Sequence, residues 1–210
     1  MSIWSVVLAA GHGARFGATK QFALLGQRRL IDWAVEVAVG ACDATVVVLP
    51  DKAMWDARSV AVTVRGGATR SASVRAGLRE VPADAEIVVI HDAAHPLATP
   101  TLFAAVVEAV RGGADGAVPA LPLREVVARF DGGTMSDVPD RRGLQLVQMP
   151  QAFAADVLRT VHADEPDTVE DSALVASRGG KVVAVPGDPR NIHVTVRADL
   201  AIADRLIGAG

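Results

Sequence analysis

A chain of 210 residues that is 50% hydrophobic and 21% charged can bury a core without disulfides or metals, which excludes intrinsic disorder. The formal net charge of −3, the 4% aromatic content and the absence of Tyr argue against a general nucleic-acid binder. Mean hydropathy is high at +0.31, yet no apolar run approaches the ~18 residues of a membrane span, and the single Cys42 cannot pair within the chain, which fits a reducing, cytoplasmic compartment.

The first element, Ile3–Leu8, reads as a core strand and not as a targeting segment. No basic leader precedes it, and Gly11-His12-Gly13-Ala14-Arg15 follows almost at once. Residues 45–49, 61–65 and 86–90 are further short β-branched runs with little polar alternation, as expected of strands buried on both faces of a parallel sheet. Between them, residues 30–39, 52–58 and 70–79 place apolar side chains on one helical face. A fourth helix over Pro100–Arg111 has Thr99 as its cap and proline in its first turn.

Residues 116–121 read as a strand. From 122 to 149 the rhythm changes to two short β-like pieces around Asp131-Gly132-Gly133, which predicts a hairpin or arm leaving the sheet. Helices over 154–162 and 168–178, a strand over 181–185 and a last helix from Arg197 complete the chain. Strand–helix alternation of this kind predicts an α/β fold with a mostly parallel, doubly wound sheet: one domain over residues 1–210, with the arm inside it.

In open α/β sheets ligands bind beyond the carboxyl ends of the strands. The loop after the first strand runs Ala9-Ala10-Gly11-His12-Gly13-Ala14-Arg15, where glycines let backbone N–H groups approach phosphate oxygens. It matches neither a Walker loop nor a dinucleotide fingerprint, so by itself it stands equally for a tight turn. Basic residues sharpen it: the chain has eighteen Arg and only three Lys, and Arg15 and Lys20 lie five apart just past the glycines. Fixed cations there suit a triphosphate under attack, with solvated loop charges as the alternative.

The third strand is followed by Gly66-Gly67-Ala68-Thr69-Arg70-Ser71-Ala72-Ser73, which suits backbone reading of a base and ribose or a plain helix start. The fourth strand ends in His91-Asp92-Ala93-Ala94-His95. Asp92 is placed to hold Mg²⁺ or a sugar hydroxyl, whereas His91 reads as a core imidazole and Cys42 as packing, not a reactive thiol.

Taken in order, these segments resemble the 2-C-methyl-D-erythritol 4-phosphate cytidylyltransferase family of isoprenoid biosynthesis. The resemblance runs on through Pro150-Gln151, the acidic pair Glu170-Asp171, Asn191-Ile192-His193-Val194-Thr195 and Asp199-Leu200. It implies a nucleotidyltransferase fold whose arm locks a homodimer, and Mg²⁺-dependent transfer of CMP from CTP to a polyol phosphate. Ala9, Ala10, Gly11, Gly67 and Ser73 would line the CTP site, and Arg15 and Lys20 would stabilise the transition state. Arg141 would position the acceptor phosphate, and Asp92 would contact the acceptor and lie close to the metal.

The chain departs from the family pattern on the acceptor side. His95 stands where the family has Arg, and His193 where it has Lys. Glu125-Val126 replaces Asp-Thr, Met149 replaces Thr, and Thr19 replaces Pro. These changes imply an altered acceptor site, in which either protonated His95 and His193 or the neighbouring Arg124, Arg142, Arg190 or Arg197 bind the phosphate. They leave open the usual methylerythritol phosphate, another acceptor such as a pentitol phosphate, or a catalytically weak nucleotide-binding relative.

Overall fold

Apart from Trp4, every residue of the first strand, β1 (Ile3–Leu8), is buried. Alternate side chains enter two different cores: Ile3 and Val7 face one layer of helices, Val6 and Leu8 the other. The absence of polar alternation in this run is therefore the mark of a strand covered on both faces. The computed structural model describes residues 2–11, 13, 16–55 and 59–208.

After β1 come a small hairpin, β2 (Leu24–Leu25) and β3 (Arg28–Arg29), then α1 (Leu30–Ala41) and β4 (Ala44–Leu49). Next are β5 (Val62–Arg65), α2 (Arg70–Leu78), β6 (Ile87–Asp92), α3 (Pro100–Arg111) and β7 (Gly116–Pro122). The region beyond holds β8 (Arg129–Asp131), β9 (Thr134–Asp137), β10 (Gln145–Val147) and β11 (Gln151–Ala154). The chain closes with α4 (Ala155–His162), α5 (Asp171–Ser177), β12 (Val182–Pro186) and α6 (Arg197–Ile207).

The main sheet runs β7–β11–β6–β1–β4–β5, with β10 and β12 also paired to β7. Its ladders are parallel except where β10 and β11 join it, so the expected mostly parallel, doubly wound sheet is present. α1 and α3 cover one face through Ile31, Val35, Phe103 and Val107. α2, α4 and α5 cover the other through Val74, Leu78, Leu158 and Val175. As expected, Thr99 caps α3, accepting from the Leu102 N–H at 3.4 Å.

Several elements differ from the sequence reading, the β2–β3 hairpin among them. The helix expected over 52–58 does not form at its start: Lys52 sits in a turn at φ 61, and residues 56–58 lie outside the described residues. β10 and β11 were not anticipated. They form one broken antiparallel run beside β7, whose pairing shifts by two residues across the cis Met149-Pro150 bond. The helix expected over 168–178 is confined to Asp171–Ser177. The hairpin does turn at Gly132-Gly133, both at positive φ, and every residue of β8 and β9 is exposed.

A third apolar cluster packs Phe16, Leu25 and Leu30 against Val194 and Ala203. It ties the loop after β1 to the segment before α6 and so fixes both ends of the site described next. No described helix is long and apolar enough to cross a membrane.

Candidate active site

The chain leaves the parallel strands at one edge of the sheet. β1 pairs with β4 on one side and β6 on the other, so the strand order reverses there. A crevice at such a reversal is where an open α/β sheet accommodates a ligand. Here it is a cavity of about 280 Å³ walled by Ala9, Ala10, Gly11, Lys20, Gly67, Arg70, Ser73, Asp92 and His193.

Each wall is held by identifiable contacts. Gln21 is buried beside Lys20, and its Nε2 donates to the Gly11 carbonyl at 3.1 Å, fixing the loop after β1. The Lys20 ammonium donates to the Val194 carbonyl at 2.8 Å and lies 3.5 Å from His193 Nε2. Across the cavity, the Ser73 hydroxyl accepts from the Gly67 N–H at 3.1 Å and donates to the Thr69 carbonyl at 3.0 Å. Ser73 therefore shapes the glycine loop, with its one proton already committed. A Cβ at Gly66 would lie 2.3 Å from the Ala10 Cβ and 2.8 Å from Ser73 Oγ. Gly66→Ala is expected to destabilise the fold by about 1–3 kcal/mol through overpacking, read as a lower urea midpoint.

The electrostatics centre on Arg70. Its Nη1 donates to Asp171 Oδ2 at 2.6 Å, while Nη2 is buried without a hydrogen-bond partner among the described residues. Burial alone would lower the Arg70 pKa, but the Asp92 and Asp171 carboxylates outweigh it and raise the value. Burial raises the pKa of Asp92, with Arg70 as the principal charge opposing that shift. Burial also works against ionised Asp171, yet hydrogen bonds from His162 and Arg70, with their charge, hold it below the usual carboxylate range.

The structure thus gathers Ala9, Ala10, Gly11, Lys20, Gly67, Ser73, Asp92 and His193 around one cavity. Arg15 lies outside the described residues. Arg141 is not at this cavity; it is exposed on the arm, where its Nη1 donates to the Arg124 carbonyl at 3.2 Å. His91 is fully buried against Phe103, ring centroids 5.2 Å apart, as a core residue should be. Cys42 is half-buried and desolvation pushes its thiol up to about 12, so it is no nucleophile at neutral pH.

One expectation is corrected. His95 was to bind phosphate as a protonated imidazole, but it is buried, with its ring stacked on His193 at 4.6 Å. Burial, then the nearby His193, His91 and Lys20, push it well below the usual histidine range, so it stays neutral at neutral pH. Arg70, His162, Asp171 and the Val194 carbonyl were missed as site components. Glu170-Asp171 stood out only as an acidic pair, and no local spacing links it to Arg70, 101 residues away.

Comparison with known proteins places this geometry. The model of the 2-C-methyl-D-erythritol 4-phosphate cytidylyltransferase family, IspD, matches residues 3–209. The chain belongs to that family. Among its relatives, the 2-C-methyl-D-erythritol 4-phosphate cytidylyltransferase of Nocardia farcinica is 37% identical, over 98% of this chain and 94% of that one. The protein of the same name from Saccharopolyspora erythraea is 38% identical, over 99% of this chain and 100% of that one. The crystal structure of the Thermus thermophilus cytidylyltransferase superposes with a TM-score of 0.85 at 30% identity, covering 97% of this chain and 98% of that one. IspD members are cytidylyltransferases, so the expected fold and enzyme class both hold.

Proposed function

We propose that this chain transfers CMP from CTP to 2-C-methyl-D-erythritol 4-phosphate, releasing pyrophosphate. The observation that carries this reading is the cavity at the strand reversal of an IspD-family chain, in which Lys20, Arg70 and Asp92 meet the backbone of residues 9–11 and 67. Relatives bearing the methylerythritol phosphate name match nearly the full length, which does not favour a pentitol phosphate acceptor or a catalytically weak binder.

In the proposed reaction an acceptor phosphate oxygen forms a bond to the α-phosphorus as the bridging bond to the β-phosphate breaks, and pyrophosphate takes the electron pair. A phosphate monoester is largely ionised at neutral pH, so no general base is needed. The work left to the protein is positioning and charge stabilisation. The backbone of residues 10 and 11 orients the nucleotide, the Ala9 N–H being taken by the Val48 carbonyl and the Gly67 N–H by Ser73. Lys20, held by the Val194 carbonyl, faces the triphosphate, where charge builds on the leaving oxygens. Arg70 supplies its unsatisfied Nη2 to a nucleotide oxygen. His193, at the cavity wall beside Lys20, serves the acceptor phosphate.

A Mg²⁺ ion suits this donor set. Such ions take one or two carboxylates and complete their shell with substrate phosphates and water. No group of three metal-binding side chains occurs among the described residues, and Asp92 is the carboxylate placed to hold it. When bound, the ion would neutralise charge on the triphosphate.

The arm fits a homodimer. Val126, Phe130, Met135 and Leu146 are each more than half exposed, an apolar surface that a second copy would cover. Arg141, away from the cavity of its own chain, would then reach the acceptor site of its partner. The lone Cys42 and the CTP-dependent chemistry fit a cytoplasmic enzyme.

Nucleotide choice tests this reading. Main-chain groups that pair with the cytosine edge would be left unsatisfied by another base, a penalty that separates ligands by orders of magnitude. Calorimetry with Mg²⁺ is expected to give tighter binding of CTP than of ATP, GTP or UTP. Equal affinity for ATP would overturn the assignment.

A further inference from the structure

A cluster of buried ionisable groups lies behind the cavity wall. His162, at the end of α4, is 4% exposed and Asp171, at the start of α5, is fully buried. His162 Nε2 lies 2.9 Å from Asp171 Oδ1, and Arg70 Nη1 lies 2.6 Å from Oδ2 of the same carboxylate. An ionised carboxylate only accepts, so the imidazole carries its proton on Nε2 and donates. Both oxygens of Asp171 are thereby committed to different partners. The carboxylate cannot rotate to follow Arg70 without losing His162.

We propose that His162 is a positioning residue for the nucleotide site, acting through Asp171 to fix the guanidinium of Arg70. The surrounding contacts make the path continuous. The Ser71 hydroxyl donates to the Thr168 carbonyl at 3.2 Å and accepts from the Thr168 N–H at 3.1 Å, and Arg75 donates to the Pro166 carbonyl at 2.8 Å. Residues 166–171 are thus bound to the helix whose first residue is Arg70. The backbone is held by Ser71 and Arg75, which leaves the angle of the Asp171 carboxylate as the degree of freedom that His162 controls. With His162 silent, Asp171 keeps Arg70 as a partner but no longer holds it at one orientation. The partnerless Nη2 is then aimed less accurately at a bound nucleotide.

The inference rests on the reading that Arg70 serves the nucleotide. It predicts an effect on affinity more than on chemistry, because a contact present in both ground and transition states changes KM and leaves kcat. His162→Phe keeps the ring and removes the donor. A charge-assisted hydrogen bond of this kind corresponds to a loss of roughly 10-fold or more, so the KM for CTP is expected to rise about 10-fold with kcat within about 2-fold. His162→Gln, whose amide nitrogen can occupy the Nε2 position, is expected to recover most of that loss.

A double-mutant cycle separates this role from a merely structural one. In an Arg70→Ala background, His162→Phe should change the KM for CTP by less than about 2-fold. If His162→Phe does not fold, as judged by thermal melting, the near-isosteric Asp171→Asn goes through the same cycle with the same expectations. The inference is overturned if His162→Phe retains the wild-type KM, if its effect persists without Arg70, or if glutamine does no better than phenylalanine. A wild-type protein that fails to bind CTP overturns instead the reading of the site, and this inference with it.

Discussion

Replacing Lys20 with alanine is expected to lower kcat for CTP-dependent pyrophosphate release by about 10²- to 10³-fold, the scale for losing one preorganised electrostatic partner of a transition state. Lys20 is one of three lysines in a chain that otherwise uses arginine. Its ammonium is anchored at 2.8 Å to the Val194 carbonyl, and Val194 is itself fully buried in the cluster with Phe16, Leu25 and Leu30. A cation fixed by a rigid carbonyl needs little reorganisation when charge develops on the leaving oxygens, so its effect falls mainly on kcat. The KM for CTP should move much less, because the backbone loops and Arg70 still hold the nucleotide. Steady-state kinetics of Lys20→Ala, beside a melting curve to confirm the fold, checks this. Near-normal turnover would make Lys20 a solvated loop charge.

Acid should destabilise the fold as pH falls below the ordinary histidine range. His91 is fully buried, and desolvation lowers its pKa to about 3 from an unfolded value near 6.5. Between those two pH values the unfolded chain binds a proton that the folded chain excludes, so stability is full above pH 6.5 and falls as pH drops. The slope is about 1.4 kcal/mol per pH unit, reaching roughly 4–5 kcal/mol near pH 3, a large share of the 5–15 kcal/mol of a typical domain. His95 is shifted in the same direction and adds to the loss. Urea unfolding at pH 7, 6, 5 and 4 measures it. His91→Leu, which has nothing to protonate, should have a shallower decline than wild type. Parallel curves for the two proteins would contradict the assignment of His91 as a neutral core imidazole.

Much of the site was legible because it sits where strands end. The buried runs of β1, β4 and β6 reveal a parallel sheet, and the residues just past them, from Ala9–Gly11 to Asp92, fall at its carboxyl edge by construction. Lys20 was legible as a lysine among arginines. What the sequence hides is contact between distant segments. Arg70 and Asp171 are 101 residues apart, and His162 joins them only because α4 and α5 pack on the same face of the sheet as α2. The burial of His95 is hidden for the same reason. Its position after a strand suggests an exposed ligand, whereas stacking on His193 closes it off from solvent. β11 escaped notice because its four residues are strand only through pairing with β6 and β7. The helix expected over 52–58 rested on periodicity alone, which the turn at Lys52 overrides.

Cytidylyl transfer is tested by turnover itself: CTP, Mg²⁺ and 2-C-methyl-D-erythritol 4-phosphate incubated with the protein, with pyrophosphate and the cytidine product quantified together. One pyrophosphate and one cytidine diphosphate ester of the alcohol are expected per CTP consumed, and none when the acceptor is left out. CTP that binds but yields no pyrophosphate with this acceptor, or pyrophosphate released equally without it, would contradict CMP transfer to 2-C-methyl-D-erythritol 4-phosphate.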